Sequence, residues 1–112
     1  MDIFVEPHED YSVLYMTGEL DSYTVPSLRA EVDGLLRERI HLAILDLHGI
    51  RFLNSSALGA IIESAKRFGA SGGRMVIARP SSFCRDIFSR VGLNRVVAVF
   101  DTDDEAAAGL QS

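Results

Sequence analysis

The sequence predicts an α/β domain with a mixed, mostly parallel sheet of about five strands and about four helices, in the order β-β-α-β-α-β-α-β-α. Three observations carry this. Short apolar runs alternate with longer amphipathic stretches along the chain, the pattern of strand–helix–strand units. The first two strand-like runs are separated only by a turn, so they pair as an antiparallel hairpin at one edge. The 112 residues suit one domain, enough to bury about two-thirds of the unfolded surface without a metal or disulfide staple.

Each element has a local reason. Ile3, Phe4 and Val5 form a short β-prone run, and Pro7 to Asp10 punctuate it as a turn. Tyr11 to Thr17 is the second strand, rich in aromatic and branched residues, and Gly18 is expected to close it. Thr24-Val25-Pro26 reads as a helix start with Thr24 as cap, because a proline costs nothing in the first turn. Leu28, Val32, Leu35 and Leu36 then form one apolar stripe. Leu42 to Leu47 is apolar enough to be a central strand buried on both faces, with His48 to Leu53 as its connection. From Ser55 a helix is expected with Leu58, Ile61, Ile62, Ala65 and Phe68 on its buried stripe and Gly69 as C-cap. Ser71-Gly72-Gly73 turns the chain into a strand, Arg74 to Ala78. Pro80 and Ser81 open a third helix, capped by Ser81 or Ser82, with Phe83, Ile87, Phe88 and Val91 facing the core and Gly92 stopping it. Val96 to Phe100 is the last strand. Asp101 or Thr102 caps a final helix whose acidic start suits its positive end, and Gly109 to Ser112 should fray.

Composition narrows the function. Lys and Arg number 11 against 16 Asp and Glu, a net charge of −5, which disfavours a nucleic-acid partner. No apolar run is long enough to span a bilayer, and Met1-Asp2-Ile3 does not open a secretory signal. The single Cys84 cannot form an internal disulfide; it reads as core, in a cytoplasmic protein. His8, His41 and His48 have no metal-ligand spacing, so no metal is expected. The Gly69 to Gly73 run follows a helix and precedes a strand, the reverse of a phosphate-binding loop, and no cofactor is expected. No nucleophile–base pair is visible in the spacing, so the chain is not read as an enzyme.

One segment stands apart: Asp46-Leu47-His48-Gly49-Ile50-Arg51-Phe52-Leu53-Asn54-Ser55-Ser56-Ala57-Leu58-Gly59. A buried strand ends and two serines stand at the start of an amphipathic helix, the place in an α/β sheet where sites gather. Read from spacing alone, Asn54 or Ser55 is a helix cap.

This segment resembles the signature of the STAS domain, and of the bacterial anti-sigma factor antagonists in particular, which typically read Asp-Leu-x-x-Val-x-Phe-Ile/Met-Asp-Ser-Ser/Thr-Gly-Leu-Gly. Asp46-Leu47, Ile50, Phe52-Leu53, Ser55-Ser56 and Leu58-Gly59 match it. A second family element, Gly-Glu-Leu-Asp followed by Thr, stands here as Gly18-Glu19-Leu20-Asp21 with Thr24. Gly72-Gly73 before a strand and Val91-Gly92-Leu93 after a helix also fit. The resemblance runs over essentially the whole chain, residues 1–112, as a single STAS domain.

The resemblance implies a partner-switching regulator. The unphosphorylated antagonist binds an anti-sigma factor that is also a serine kinase of the histidine-kinase-like ATPase fold, and the sigma factor is released. Phosphorylation of the first serine, Ser55 (Ser56 being the second candidate), ends the binding, and a PP2C-type phosphatase resets it. The implied partner face comprises Glu19, Asp21, Ser22, Thr24, Arg51, Asn54, Ser55, Ser56 and Ala57, with Phe52 alongside. Two positions depart from the pattern. Asn54 replaces the usual Asp, keeping the capping geometry but dropping a charge. Ala57 replaces the usual Gly, which favours the helix by about 1 kcal/mol and adds a methyl where a partner is expected to pack. The alternative within the family is a STAS module that is not phosphorylated, serving as a scaffold or as a cytoplasmic subunit of a transport or stress-signalling complex. A nucleotide-binding protein or small enzyme is the third reading.

Overall fold

A computed structural model describes residues 1–111. Its elements are β1 (Asp2–Pro7), β2 (Ser12–Leu20), α1 (Val25–Arg37), β3 (Leu42–Leu53), α2 (Ser55–Ala70), β4 (Arg74–Ala78), α3 (Ser82–Val91), a short 3-10 turn (Leu93–Arg95), β5 (Val99–Phe100) and α4 (Asp103–Gln111). The order is the one expected. The five strands form one sheet in the spatial order β1-β2-β3-β4-β5. β1 runs antiparallel to β2, and every other pairing is parallel. No helix of the described residues is long and apolar enough to cross a membrane.

β3 is central and splits its side chains between two cores. Ala43, Leu45 and Leu47 join the larger core with residues of α1, α2 and α3. Ile44 joins Val13, Val76 and Ala78 under Ala106 and Leu110 of α4. Three helices therefore cover one face and α4 covers part of the other. The alternation of a strand, at period two, makes this division possible from one apolar run.

Several expected boundaries move, each for a stated reason. β2 does not stop at Gly18 but runs on to Leu20. Gly18 sits at φ +106° beside a register shift against β3, a left-handed kink that glycine takes without strain. β3 does not end at Leu47. It continues through the expected connection to Leu53, because Ile50 and Leu53 are buried and β2 supplies a partner as far as Leu20. α2 does not end at Gly69. Gly72, at positive φ, and Gly73 close it through Gly72 N–H to Gly69 O and Gly73 N–H to Phe68 O, a Schellman motif three residues later.

Helix faces shift too. The buried side of α2 is Ala57, Ala60, Ile61, Ser64 and Phe68, with the Ser64 hydroxyl donating to Ala60 O at 2.8 Å. Small residues bring the helix close to the sheet, and Leu58, Ile62 and Ala65 are left half-buried. In α3 the buried residues are Cys84 and Phe88, while Phe83 and Val91 are exposed. Ser81 is its cap, accepting from Cys84 N–H at 3.2 Å. Burial pushes the Cys84 thiol up, which suits a core residue. The last strand shrinks to Val99–Phe100, because Val97 turns into the core and Val96 outward. Thr102 caps α4 through its Oγ1, which accepts from Glu105 N–H at 3.0 Å. Gly109 to Gln111 stay helical rather than fraying, held by the burial of Leu110 and by Arg74 donating to Gly109 O. Ser112 lies outside the described residues.

The α4 face contains a charged cluster. Asp46, in β3, is only 2% exposed. Its Oδ2 accepts from Arg79 Nε at 2.8 Å and its Oδ1 from His48 N–H at 3.1 Å. Asp103, at the start of α4, accepts from Tyr15 OH at 3.3 Å through Oδ2. Its Oδ1 is buried with no donor among the described residues. Burial first, then the neighbouring Asp46 carboxylate, push the Asp103 carboxyl up to about 6. Protonation of Asp103 removes its charge beside the buried Asp46 carboxylate.

This shift has a signed consequence. An acid whose folded pKa is raised adds stability below its unfolded value of about 4, and that stability is lost as pH rises through the folded value. Asp103→Asn carries its own N–H donor at every pH. The unfolding free energy of the Asn variant minus that of wild type should therefore grow between about pH 4 and pH 7, measured by urea unfolding. A pH-independent difference would contradict the raised pKa of Asp103.

Candidate functional site

Leu20 and Leu53 are register partners at the ends of β2 and β3. The next residue of each strand, Asp21 and Asn54, therefore leaves the sheet at the same edge. Each starts a helix. Two helix N-termini stand side by side at the carboxyl ends of parallel strands, where unpaired N–H groups and helix dipoles favour negative charge.

At the first terminus Thr24 does not cap α1 as expected; its side chain accepts nothing from the helix. The cap is Asp21. Its Oδ1 accepts from Tyr23 N–H at 2.9 Å and Thr24 N–H at 3.1 Å, and its carbonyl accepts from Val25 N–H at 2.8 Å. Thr24 Oγ1 reaches back, accepting from Asp21 N–H at 2.9 Å and donating to Glu19 O at 2.9 Å. This is a reciprocal capping box with threonine in the place usually held by glutamate. It fixes the Glu19–Asp21 backbone against the helix and leaves Ser22 and Tyr23 at the surface, Tyr23 being 91% exposed.

At the second terminus Asn54 is the cap. Its Oδ1 accepts from Ala57 N–H at 3.1 Å and its carbonyl from Leu58 N–H at 3.1 Å. Ser55 and Ser56 follow as the first two helical residues, both exposed. The first turn carries no acidic residue, so nothing there neutralises the positive end of this 16-residue helix. Ala57 corrects an expectation. Its side chain is fully buried, so its methyl packs into the core and cannot crowd a partner. Only its N–H takes part at the site.

The remaining expected residues gather here. Arg51 Nη2 lies 3.0 Å from Glu19 Oε2, with both side chains exposed. Such a surface pair contributes at most about 1 kcal/mol, and it sets two opposite charges on the exposed tails of β2 and β3. Ser22, Val25 and Arg29 line one wall of a groove, with Ser56, Gly59 and Glu63 opposite. Arg29 Nε to Glu63 Oε1, at 3.0 Å, clamps the two walls together.

The sequence reading does not single out Tyr23 or Phe83. Phe52 and Phe83 are 43% and 38% exposed, with ring centroids 5.9 Å apart. They meet because Ser81 Oγ donates to Ile50 O at 2.6 Å, tying the start of α3 to the tail of β3. Helical periodicity assigns Phe83 to the core, and only the three-dimensional path of β3 places it beside Phe52.

Two outcomes test this local physics. Asn54→Ala should cost about 1 kcal/mol in urea unfolding, while Asn54→Asp, which keeps the cap and adds charge at the positive end, should raise stability by about 0.5 kcal/mol. Asp21→Ala and Thr24→Val should each cost about 1 kcal/mol, and the double variant clearly less than the sum, because the two residues form one ring of bonds.

Comparison with known proteins agrees with the geometry. The STAS domain family model matches residues 3–106. The anti-sigma F factor antagonist of Paenibacillus polymyxa is 25% identical over 112 residues, covering 99% of this chain and 96% of that protein. The crystal structure of an anti-sigma factor antagonist from Mycobacterium paratuberculosis superposes with a TM-score of 0.88 at 22% identity, covering 99% and 94% of the two chains. The anti-sigma factor antagonist SpoIIAA in its unphosphorylated form gives 0.81 at 23% identity over 98% and 96%. The phosphorylated form of Bacillus SpoIIAA gives 0.73 at 24% identity over 96% and 97%. With both signature segments brought to one edge of a β-β-α-β-α-β-α-β-α sheet, and a family match over nearly its whole length, the chain belongs to the STAS domain family.

Proposed function

We propose that this protein is an anti-sigma factor antagonist controlled by phosphorylation of Ser55. The observation that carries the proposal is the position of Ser55: exposed, first in α2, and one residue beyond the capping Asn54. Similarity to proteins named as anti-sigma factor antagonists supports the class of partner. SpoIIAA has been solved both with and without its phosphate, which supports a chemistry of this kind in a protein of this fold.

In this reading the unphosphorylated face, centred on the Asp21 turn and Ser55, docks on an anti-sigma factor serine kinase of the histidine-kinase-like ATPase fold. The kinase transfers a phosphoryl group to Ser55 Oγ, adding about −1.5 to −2 charges. The antagonist's own fold accommodates those charges, because the α2 dipole and its leading N–H groups favour an anion. Asn54, unlike an aspartate, sets no like charge beside it. The docked kinase has no such provision. A dianion in a closed interface costs several kcal/mol, and each 1.4 kcal/mol is about tenfold in affinity. A PP2C-type phosphatase restores the serine. The protein is the switch rather than a catalyst, and it works in the cytoplasm.

Wild type, Ser55→Ala and Ser55→Asp as parallel baits in a host lysate, read by mass spectrometry, test this. An ATPase-domain anti-sigma factor should be retained by wild type and Ser55→Ala and reduced at least about tenfold with Ser55→Asp, all three melting alike. If all three baits hold the same partner equally, the serine switch is wrong and the module is a scaffold.

A further inference from the structure

α4 packs on β3, β4 and β5, and among the described residues no helix packs closely on β1 on that face. Register puts Phe4 opposite Tyr15, Asp2 opposite Thr17 and Glu6 opposite Val13, and antiparallel partners share a face. Val13 lies in the α4-side core, so Asp2, Phe4, Glu6, Tyr15 and Thr17 all belong to the α4 side. Ile3 and Val5, on the other side, pack against the larger core. Phe4 is 65% exposed, and its ring stacks on Tyr15 at 6.2 Å. The two rings together make a small apolar patch on the open sheet face, beside the edge strand.

The surroundings of the ring are acidic. Asp2 and Glu6 flank Phe4 at two residues on either side. Asp103 borders Tyr15 from α4, and Glu6 Oε1 lies 3.5 Å from Tyr15 OH and 2.9 Å from His8 Nε2. Burial first, then the charges of Asp103 and Glu6, push the Tyr15 phenol up to about 12. Arg79, whose charge also acts on Asp103 and Tyr15, is committed to Asp46. β1 is also the edge of the sheet, with one side of its backbone open to a further strand.

A second copy of this chain fits poorly there. Antiparallel self-pairing centred on Phe4 would set Asp2 opposite Glu6 of the copy, like charges on one face. We infer that the β1 edge, with Phe4 and Tyr15 on its open face, is a second docking surface that takes an extended segment of a partner protein carrying Lys or Arg two residues to each side of an apolar residue. The segment adds as a sixth strand, its apolar side chain lying on Phe4 and its cations meeting Asp2 and Glu6. This surface lies across the sheet from the α1 and α2 side, so its occupancy does not depend on Ser55.

Titration of the full chain with the capped peptide Lys-Thr-Phe-Thr-Lys, followed by amide NMR, tests this. The amide shifts should concentrate on residues 2–7, weaken at least about fivefold with Glu6→Lys or with the peptide Glu-Thr-Phe-Thr-Glu, and weaken with added salt. Phe4→Ser, a surface change that leaves the melting temperature near wild type, should also weaken them. Equal binding of the two peptides, no response at millimolar peptide, or shifts only near Ser55 would overturn the proposal. So would β1 shifts that grow with protein concentration without peptide, which would make a second copy the occupant. None of these outcomes bears on the serine switch.

Discussion

Everything at the candidate site depends on the parallel pairing of β2 and β3 beyond the end of β4. β4 stops at Ala78, opposite Asp46, yet β3 continues to Leu53 with β2 as its strand neighbour. Such an overhang needs burial on one face and bonding on the other edge. Leu47, Ile50 and Leu53 supply the first, all of them in the larger core. The start of α3 supplies the second: Ser81 N–H donates to Leu47 O and Ser81 Oγ to Ile50 O. The overhang carries Glu19 and Arg51 outward and delivers Asp21 and Asn54 side by side. Shortening it by one residue would misdirect both helix starts, because a one-residue change turns the side chains to the opposite face.

The two helix starts solve the same problem differently. Both must satisfy leading N–H groups at a surface edge. Asp21 does so inside a closed ring with Thr24, and its negative charge is spent on two backbone donors. Asn54 does so with a neutral amide oxygen on one donor. The first terminus is therefore already partly neutralised, and the second retains most of its positive field. An added anion is favoured at α2 over α1 on electrostatic grounds alone, and α2 is the helix that presents serines.

Much of the fold was legible because its signals are local. The helix begun after Asn54, the hairpin at the edge and the buried run Leu42 to Leu47 each follow from patterns within a few residues. What misled was also local. Gly18 and Gly49 look like strand terminators, but Gly18 is a bulge residue, and Gly49 makes room for Thr17 of the neighbouring strand, whose Cγ2 lies 2.5 Å from where a Cβ would stand. Periodicity found the right side of α2 but not its roll, because Ala57, Ala60 and Ser64 are weak hydrophobic signals and yet lie closest to the sheet. That Asp21 caps α1, with Thr24 completing a ring rather than capping, needs backbone geometry. The Asp46–Asp103 pair joins residues far apart in sequence and leaves no spacing signal at all. The family signature made Ser55 and Asp21 visible, and it could not reveal Tyr23 or Phe83, which lie outside the matched motif.

In the proposed switch, Asn54 and Ser55 divide two tasks that a single residue could not combine. The cap of α2 uses the Asn54 oxygen and carbonyl, and the helix needs nothing from the Ser55 hydroxyl, which takes part in no capping bond. A modification of that hydroxyl therefore leaves the bonds that start the helix in place. Were Ser55 itself the cap, its Oγ would be the acceptor for a helix N–H, and adding a phosphoryl group there would rebuild the helix start each time the switch turned. The arrangement separates the cap from the exposed hydroxyl: changes at Asn54 act on folding, and changes at Ser55 act on the surface alone. The Glu19–Arg51 pair is too exposed to contribute much to stability.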